Sequence, residues 1–298
     1  MSHLKDVLES GKFAVTAEIS PPKSASCETI RKKAAMLKDC VDAVNLTDNQ
    51  TAIVRISSFV SSLACLQEGV EPILQMTCRD RNRIAMQSDV LGASAFGIHN
   101  VMCLSGDHQS FGNQKEAKNV YDVDSIQQLM IFNKMRCEGR VWGGDELKEK
   151  PELFLGAAAN PFADPFEFRV QRLAKKITAG ADFIQTQAVF DVERFRDFMS
   201  SVCDRGLDKK VHILAGVMPL KSYNMAEHMK NNVSGISLPD EMVSRMKSAA
   251  DPKEEGLAIC HETIEEIKKI KGVHGVHIMA ISWESVVPRI IEDAELRD

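Results

Sequence analysis

Residues 153–187 read LFLGAAANPFADPFEFRVQRLAKKITAGADFIQTQ and contain one complete strand–helix–strand unit. Apolar, β-prone runs predict strands at 153–159 and 182–187. The spacing of apolar residues between them predicts a helix over 165–179, with Pro165 at its first position. The strands begin at residues 153 and 182, and this distance of 29 residues is about the length of one βα unit.

The same unit recurs along the whole chain. Strand starts at residues 13, 42, 72 and 98 are 29, 30 and 26 residues apart, and those at 153, 182 and 211 are 29 apart. The eight predicted strands are FAVTAEI from Phe13, DAVNLT from Asp42, PILQMT from Pro72, IHNVMCL from Ile98, LFLGAAA from Leu153, DFIQTQ from Asp182, VHILAGV from Val211 and GVHIMAI from Gly275. This repeat predicts an α/β fold, a closed (β/α)₈ TIM barrel. An open doubly wound sheet is the alternative, disfavoured because no Gly-x-Gly-x-x-Gly follows the first strand.

Two intervals are longer than the repeat. Between the fourth and fifth strands lie GDHQSFGNQKEAKN from Gly106 and EGRVWGGDELKEKP from Glu138, which are typical of loops. Between the seventh and eighth strands, 239–249 and 253–271 have helical periodicity. We therefore expect a single domain over residues 1–298, with insertions after strands 4 and 7. The regular helices are predicted at 27–38, 54–68, 82–96, 125–137, 165–179, 192–205, 223–231 and 283–292.

Composition excludes several classes of protein. The 298 residues are 44% hydrophobic and 27% charged, which is typical of a globular domain. A net charge of −5 disfavours non-specific nucleic-acid binding. No apolar run is long enough to span a membrane and no signal peptide is evident, so we expect a cytoplasmic protein. The eight cysteines lack Cys-x-x-Cys spacing, which argues against a disulfide framework, a zinc site or an iron–sulfur cluster in this chain.

The carboxyl ends of barrel strands carry the active site, and here they are polar. They bear Glu18, Ser20, Thr47, Asp48, Asn49, Gln75, Thr77, Arg79, Ser105, Gly106, Asp107, His108, Asn160, Gln185, Gln187, Pro219, Tyr223, Ser282 and Trp283. Amides and hydroxyls outnumber charges, which favours recognition of a heterocycle rich in donors and acceptors. Helix capping explains single positions such as Ser20 and Asp48, but it explains the glutamines poorly.

Glu18 is the best candidate for a catalytic acid. It ends an apolar strand between Ala17 and Ile19, and two prolines follow at Pro21 and Pro22. Apolar surroundings favour the protonated form of a carboxyl, which suits a general acid. The alternative is an ion pair with Lys23 or Arg79.

Three other strand-end residues, Asp107, Gln185 and Gln187, each have a possible function and an alternative structural explanation. Asp107 follows Gly106 just past a buried strand and is either a functional carboxylate or an Asx turn. Gln185 and Gln187 alternate along one strand and are expected on one face, where a ligand or each other could supply partners. His274 and His277 are expected to face opposite ways, so we interpret them as structural and predict no metal site.

Taken together, these segments resemble the methylenetetrahydrofolate reductase family over nearly the whole chain. The motifs that carry the resemblance are VTAEISPP at 15–22, VNLTD at 44–48, MTC at 76–78, LSGD at 104–107, AAANP at 157–161, KITAGAD at 176–182, QTQAVFD at 185–191 and GVMP at 216–219 followed by Tyr223. None is specific alone, but their order and spacing over a barrel are.

The resemblance implies a flavin-containing barrel that reduces 5,10-methylenetetrahydrofolate to 5-methyltetrahydrofolate. In it, Glu18 matches the general acid and Asp107 matches a catalytic carboxylate near the flavin and the pterin. Gln187 and Tyr223 match substrate contacts, to which we add Gln185. Thr47, Asn160 and Lys176 match flavin contacts, with the lysine near phosphate, and we also expect Gln75, Ser105, Gly106 and Asp107 to contact the cofactor.

Several positions depart from the commonest family pattern. They are Ile19, Ser20, Gln75, Ser105, Ala188 and Val189, which replace aromatic or basic residues or a histidine. These changes fall on the flavin and nicotinamide side. The resemblance implies FAD, with FMN as the alternative. These departures leave two electron donors open, NAD(P)H directly or an iron–sulfur and zinc partner subunit. A homo-oligomer is also compatible with the sequence.

Overall fold

The computed structural model describes residues 2–233 and 235–297. In these residues eight parallel strands form a closed barrel in chain order, because Ala14–Ala17 of the first strand pair with Gly275–Ile278 of the last. The strands are β1 (Ala14–Ile19), β2 (Ala43–Leu46), β3 (Pro72–Thr77), β4 (Asn100–Leu104), β5 (Phe154–Ala159), β6 (Phe183–Ala188), β7 (His212–Val217) and β8 (Gly275–Ile278). The predicted (β/α)₈ barrel is confirmed.

Helices cover the outside of the barrel. They are α1 (His3–Glu9), α2 (Glu28–Leu37), α3 (Ser58–Gln67), α4 (Arg83–Ala95), α5 (Ser125–Glu138), α6 (Glu167–Thr178), α7 (Val192–Asp204), α8 (Tyr223–Asn232), α9 (Asp240–Ser248), α10 (Pro252–Lys268) and α11 (Val287–Asp293). Short 3₁₀ helices occur at Gln50–Ala52, Gln109–Phe111 and Glu284–Val286. None of the described helices combines the length and the apolar character that crossing a bilayer requires.

Some predicted boundaries are wrong for identifiable reasons. Helix α6 begins at Glu167 rather than Pro165, because the Pro165 carbonyl accepts a turn bond from Phe168 N at 3.2 Å. Helix α3 begins at Ser58 because the hydroxyl of Ser57 caps it, accepting from Val60 N at 3.3 Å. Strand β8 ends at Ile278, three residues earlier than predicted, where the chain turns towards the next helix.

Helix α1 was not predicted from the sequence. Ser2 caps it, accepting from Lys5 N at 3.1 Å, and donates to Asn100 Oδ1 at 2.7 Å. Leu4 and Leu8 are buried at the amino-terminal end of the barrel. They belong to an apolar cluster with Val7, Ala14, Ala43, Ile73, Met102, Phe154, Phe183 and Leu214. One end of the barrel is therefore closed by apolar packing, which leaves the carboxyl end for a site.

The two long intervals contain additional structure. After β4, residues 105–124 form a loop with one 3₁₀ turn before α5, and a second loop, with an Arg140–Glu146 bridge, precedes β5. After β7, three helices occur where the repeat needs one, and α9 and α10 lie where the sequence predicts extra helices. The remaining elements keep the ends of β1–β6 close to their predicted positions.

Candidate active site at the carboxyl end of the barrel

A cavity of about 270 Å³ lies at the carboxyl ends of β1–β4. Residues from four consecutive strands and their loops line it: Glu18, Thr47, Asp48, Gln50, Gln75, Thr77, Arg79, Leu104, Ser105, Gly106 and Asp107. Both candidate catalytic carboxylates are in this set, and so are five of the seven candidate cofactor contacts, with Asp107 belonging to both groups. We call this cavity the carboxylate pocket.

Glu18 is held at the end of β1 with a side chain that is only 11% exposed. Gln50 Nε2 lies 3.4 Å from Glu18 Oε1 and points a donor at it. His277 Nε2 lies 3.9 Å from Glu18 Oε2. Lys23, one alternative ion partner, is exposed. The carboxyl group therefore faces two nitrogen atoms and little solvent.

Arg79 contacts groups other than Glu18. Its guanidinium donates to the carbonyls of Asp107 at 3.0 Å and Asn49 at 3.1 Å, and to Asp80 Oδ2 at 2.7 Å. Burial alone would lower the pKa of Arg79, but the hydrogen bonds and charge of Asp80 raise it above its usual value. The permanently charged side chain thus ties together the loops that follow β2, β3 and β4.

Asp107 is exposed at the rim of the carboxylate pocket. Its Oδ2 accepts from the backbone N–H of Thr51 at 3.2 Å. The preceding Gly106 has φ +85°, and a Cβ there would lie 3.0 Å from the Cβ of Thr77. Glycine is therefore needed to bring this loop against β3 and to aim Asp107 at the pocket.

The segment 49–52 links the two carboxylates. Its left-handed residues are Asn49 (φ 45°), Thr51 (φ 58°) and Ala52 (φ 54°). Gln50 faces Glu18 while the N–H of Thr51 binds Asp107. Ser20 Oγ donates to Gln50 Oε1 at 2.8 Å, so the amide nitrogen of Gln50 is the end turned to Glu18. Consecutive strained residues are sustained by surrounding contacts and cluster at functional sites.

Two hydroxyl groups of the carboxylate pocket, those of Thr47 and Ser105, are left free or weakly bonded by the described residues. Thr47 Oγ1 is buried and has no hydrogen-bond partner in the described part of the chain. Ser105 Oγ donates to Ser125 Oγ at the long distance of 3.4 Å. Since buried hydroxyls are normally satisfied, the Thr47 hydroxyl is available as a hydrogen-bonding group in this pocket.

A second cavity, of about 160 Å³, lies at the ends of β5 and β6 beside α6. Ala158, Ala159, Asn160, Arg169, Arg172, Leu173, Lys176, Gln187 and Phe198 line it. Lys176 Nζ donates to the carbonyl of Ala158. Burial, and then the charge of Arg172, lower the pKa of Lys176 to about 8. Three basic residues, Arg169, Arg172 and Lys176, and no acidic residue line this cavity, which we call the basic cavity. This charge pattern is typical of an anion-binding site.

Gln185 lies elsewhere, in the barrel interior. It is 2% exposed and exchanges two hydrogen bonds with Asn45, at 2.6 and 3.1 Å. The hydrogen-bonding capacity that we expected a ligand or Gln187 to fill is filled by the protein itself. Gln187 is exposed in the basic cavity, because the register of β6 shifts between Gln185 and Ala188 and breaks the simple alternation.

Tyr223 lies at the start of α8 and lines neither cavity. Its hydroxyl donates to Glu227 Oε1 at 2.5 Å, and Lys247 Nζ lies 5.9 Å from the ring centre. Trp283 follows β8, with Lys221 Nζ 5.9 Å from its ring centre. These aromatic residues belong to the β7 and β8 side of the barrel mouth.

The histidines near β8 separate as expected. His274 Nδ1 accepts from Ile213 N at 3.1 Å, and its ring meets that of His212 edge-on. His277 lies inside the barrel and is 3% exposed. Within residues 2–233 and 235–297, no group of three or more histidine, cysteine, aspartate or glutamate residues could hold a metal ion.

Sequence reasoning missed four residues at these sites. Gln50 and His277 face Glu18, and Arg169 and Arg172 line the basic cavity. The two arginines were detectable, because they lie seven and four residues before Lys176 and so share a face of α6. His277 was not, because its proximity to Glu18 depends on barrel closure.

Comparisons with known proteins identify the family. The sequence model of the methylenetetrahydrofolate reductase family matches residues 3–295. Methylenetetrahydrofolate reductase 2 of Schizosaccharomyces pombe is 25% identical over 270 residues, which are 85% of this chain and 40% of the yeast protein. The 5,10-methylenetetrahydrofolate reductase of Pectobacterium carotovorum is 23% identical over 242 residues, or 78% of this chain and 73% of the relative. The chain thus spans less than half of the yeast relative.

A solved structure has the same fold. An uncharacterized protein from Clostridium thermocellum, described as binding two copies of 5-methyl-5,6,7,8-tetrahydrofolic acid, superposes with a TM-score of 0.69. It is 18% identical, and the match covers 99% of this chain and 97% of that one. Because the family match extends over almost all of the barrel and both cavities, this chain belongs to the methylenetetrahydrofolate reductase family.

Proposed function

We propose that this chain reduces 5,10-methylenetetrahydrofolate to 5-methyltetrahydrofolate with a bound flavin. The observation that carries the proposal is the carboxylate pocket, in which Glu18 and Asp107 share one cavity with the unsatisfied hydroxyl of Thr47. Relatives named for this reaction support it, as does the folate-binding neighbour of the same fold.

Glu18 acts as the general acid. Its proton goes to N10 of the folate, the bond between N10 and the bridging carbon breaks, and a 5-iminium cation forms. Hydride addition to that carbon then gives the methyl group on N5. Its side chain is only 11% exposed, so the proton transfer would take place away from bulk water, and general acid catalysis contributes about 10²–10⁴-fold.

Asp107 favours the cation electrostatically. Its carboxylate is fixed by the N–H of Thr51 and by the Arg79 contact to its own carbonyl, so no reorganisation is needed as positive charge develops. Gln187, which is exposed at the end of β6, is the proposed hydrogen-bond partner of the pterin. Tyr223 lies outside both cavities, at the start of α8, and is the proposed stacking partner for a part of the substrate that extends beyond them. Gln185 acts only from within the barrel, since its amide is already bonded.

The residues that line the two cavities are of the kinds that a flavin would need. A bound reduced flavin supplies the hydride. Thr47, Gln75, Ser105, Gly106 and Asp107 would hold the ring system in the carboxylate pocket, where the hydroxyl of Thr47 needs a partner. Asn160 and Lys176, with Arg169 and Arg172, would hold the phosphate end in the basic cavity. We propose FAD, with FMN as the alternative that satisfies the same phosphate contacts.

The electron donor is proposed to be NAD(P)H. Relatives from Caenorhabditis elegans and Arabidopsis thaliana are named for NADPH and NADH, respectively. The alternative is a flavin- and folate-binding subunit that receives electrons from an iron–sulfur partner. The cysteines are free, as in proteins of reducing compartments, which supports a cytoplasmic location.

The test separates the two half-reactions in Glu18→Gln. We expect the variant to bind folate and to be reduced by the donor at the wild-type rate, while folate reduction falls by about 10²–10⁴-fold. Glu193→Gln, at a glutamate of α7 that is 84% exposed, is the matched control. Equal loss of both half-reactions contradicts the role of Glu18, and a purified protein that takes up neither FAD nor FMN contradicts the proposed function. Rapid bleaching of the isolated flavoprotein by NADH or NADPH excludes the need for a partner.

A further inference from the structure

Four polar side chains form a buried network directly beneath Glu18. Thr16, Asn45, Gln185 and His277 come from β1, β2, β6 and β8 and are at most 3% exposed. Buried polar groups are costly unless satisfied, and here each is hydrogen-bonded to another. The network therefore defines how every member is oriented.

The orientation of Gln185 is set by Asn45. Asn45 Nδ2 donates to Gln185 Oε1 at 2.6 Å, so the NH₂ end of Gln185 faces Thr16 and His277. Gln185 Nε2 lies 3.2 Å from Thr16 Oγ1 and 3.3 Å from His277 Nδ1. Thr16 Oγ1 lies 3.0 Å from the same ring nitrogen.

This arrangement selects one tautomer of His277. The two hydrogens of Gln185 Nε2 have three acceptors in reach, Asn45 Oδ1 at 3.1 Å, Thr16 Oγ1 at 3.2 Å and His277 Nδ1 at 3.3 Å, and the two shorter contacts use both of them. The Thr16 hydroxyl, which then accepts from Gln185, donates to His277 Nδ1 at 3.0 Å in preference to the Val276 carbonyl at 3.4 Å, so Nδ1 accepts. With its lone pair on Nδ1, the neutral ring carries its proton on Nε2, the atom 3.9 Å from Glu18 Oε2.

We propose that His277 is a positioning residue for Glu18, with its ring proton fixed on Nε2 by Gln185 and Thr16. Its donor atom lies 3.9 Å from the carboxyl oxygen Glu18 Oε2, on which negative charge develops when Glu18 gives up its proton. A donor aimed in advance at developing charge lowers the barrier without reorganisation. The kinetic part of this inference rests on the proposed function, whereas the tautomer does not.

The tautomer is tested in the unmodified protein. In ¹⁵N-histidine-labelled protein, the ring resonances that disappear in His277→Gln belong to His277. We expect the ¹⁵N shifts of a neutral ring protonated at Nε2. A ring protonated at Nδ1, or one exchanging between tautomers, overturns the proposal, whatever reaction the protein catalyses.

The kinetic test uses two variants that each keep a polar group near a different ring nitrogen of His277. His277→Gln keeps a donor near the position of Nε2, whereas His277→Asn keeps a polar group near Nδ1 but does not reach Glu18. We expect His277→Asn to slow single-turnover folate reduction about tenfold to a hundredfold, with His277→Gln restoring most of the rate. Folate affinity and flavin reduction by the donor should stay at wild-type values in both.

The two ways of failing are distinguishable. Equal slowing in both variants, or slowing in neither, overturns the positioning role. A wild-type protein that does not reduce the folate overturns the proposed function, and the ring shifts still decide whether the network fixes His277. Thermal unfolding of each variant shows whether it is folded. If His277→Asn is not folded, the ring shifts of the labelled wild-type protein still decide the tautomer of His277.

Discussion

The two ends of the barrel interior are built from opposite kinds of residue. At the amino end, Leu4 and Leu8 of α1 pack against Phe154 and Phe183 in an apolar cluster. At the carboxyl end, the carboxylate pocket has a strained loop and an unsatisfied hydroxyl. The difference indicates that packing stabilises one end, while the other end keeps polar groups available to a ligand.

The largest expected effect is at the apolar end. Phe183 is fully buried and stacks on Phe154, with ring centres 5.2 Å apart. Phe183→Ala should lower the free energy of unfolding by about 3–5 kcal/mol, because it removes contacts and leaves a cavity. Urea denaturation measures the loss. Flavin affinity of the folded variant should be unchanged, and a tenfold loss of affinity would show that the two ends are not independent.

Gly106→Ala tests whether the loop that carries Asp107, at the polar end of the barrel, needs a glycine backbone. Because φ is +85° and the new Cβ would meet Thr77, we expect a loss of about 1–3 kcal/mol in unfolding free energy. Folate reduction should also slow, since Asp107 is displaced. Gly143→Ala is the matched control, because a Cβ there meets nothing within 4 Å. If both variants are equally stable, Gly106 is not conformationally required.

Much of this comparison could be predicted from the sequence. The repeat near 30 residues predicts the barrel, and β3 lies over the predicted residues 72–77. Glu18, Thr47 and Asp107 come together because parallel strands end at one face of a barrel. Helix α1 was missed because seven residues are too few for a periodic signal. The distinction between Gln185 and Gln187 was missed because a register shift in β6 is not visible as a pattern.

Thr47→Val tests whether the unsatisfied hydroxyl belongs to the cofactor site. In flavin-free protein, the change should leave stability unchanged or raise it by about 1 kcal/mol, because a methyl group replaces a buried hydroxyl that makes no protein hydrogen bond. Flavin affinity should fall about tenfold, corresponding to roughly one hydrogen bond. Thr47→Ser keeps the hydroxyl and should bind flavin as the wild type does. Fluorescence titration measures both, and an unchanged affinity in Thr47→Val would remove Thr47 from the site.

The smallest effect concerns the pH dependence of flavin binding at Lys176. Burial, followed by the charge of Arg172, lowers the pKa of Lys176 to about 8 in the flavin-free protein, and a bound phosphate would raise it again. Binding then takes up a proton above pH 8, so the affinity should fall several-fold between pH 8 and 9.

Two variants at the basic cavity check whether Lys176 causes this pH dependence. Lys176→Met should bind flavin more weakly, but its affinity should not fall between pH 8 and 9. Arg169→Met should weaken binding and keep the slope, because Lys176 still titrates while arginine stays charged. A slope that persists in Lys176→Met would assign it to another group.

The positions of the two tryptophans give the protein an optical reporter. Trp283 follows β8 at the mouth of the barrel, whereas Trp142 lies in the loop between α5 and β5, where Lys134 sits over its ring. Oxidised flavins absorb where tryptophan emits, so a flavin entering the mouth should quench Trp283 by energy transfer. In a Trp142→Phe background, the remaining emission would come from Trp283 and would follow filling of the barrel mouth in real time.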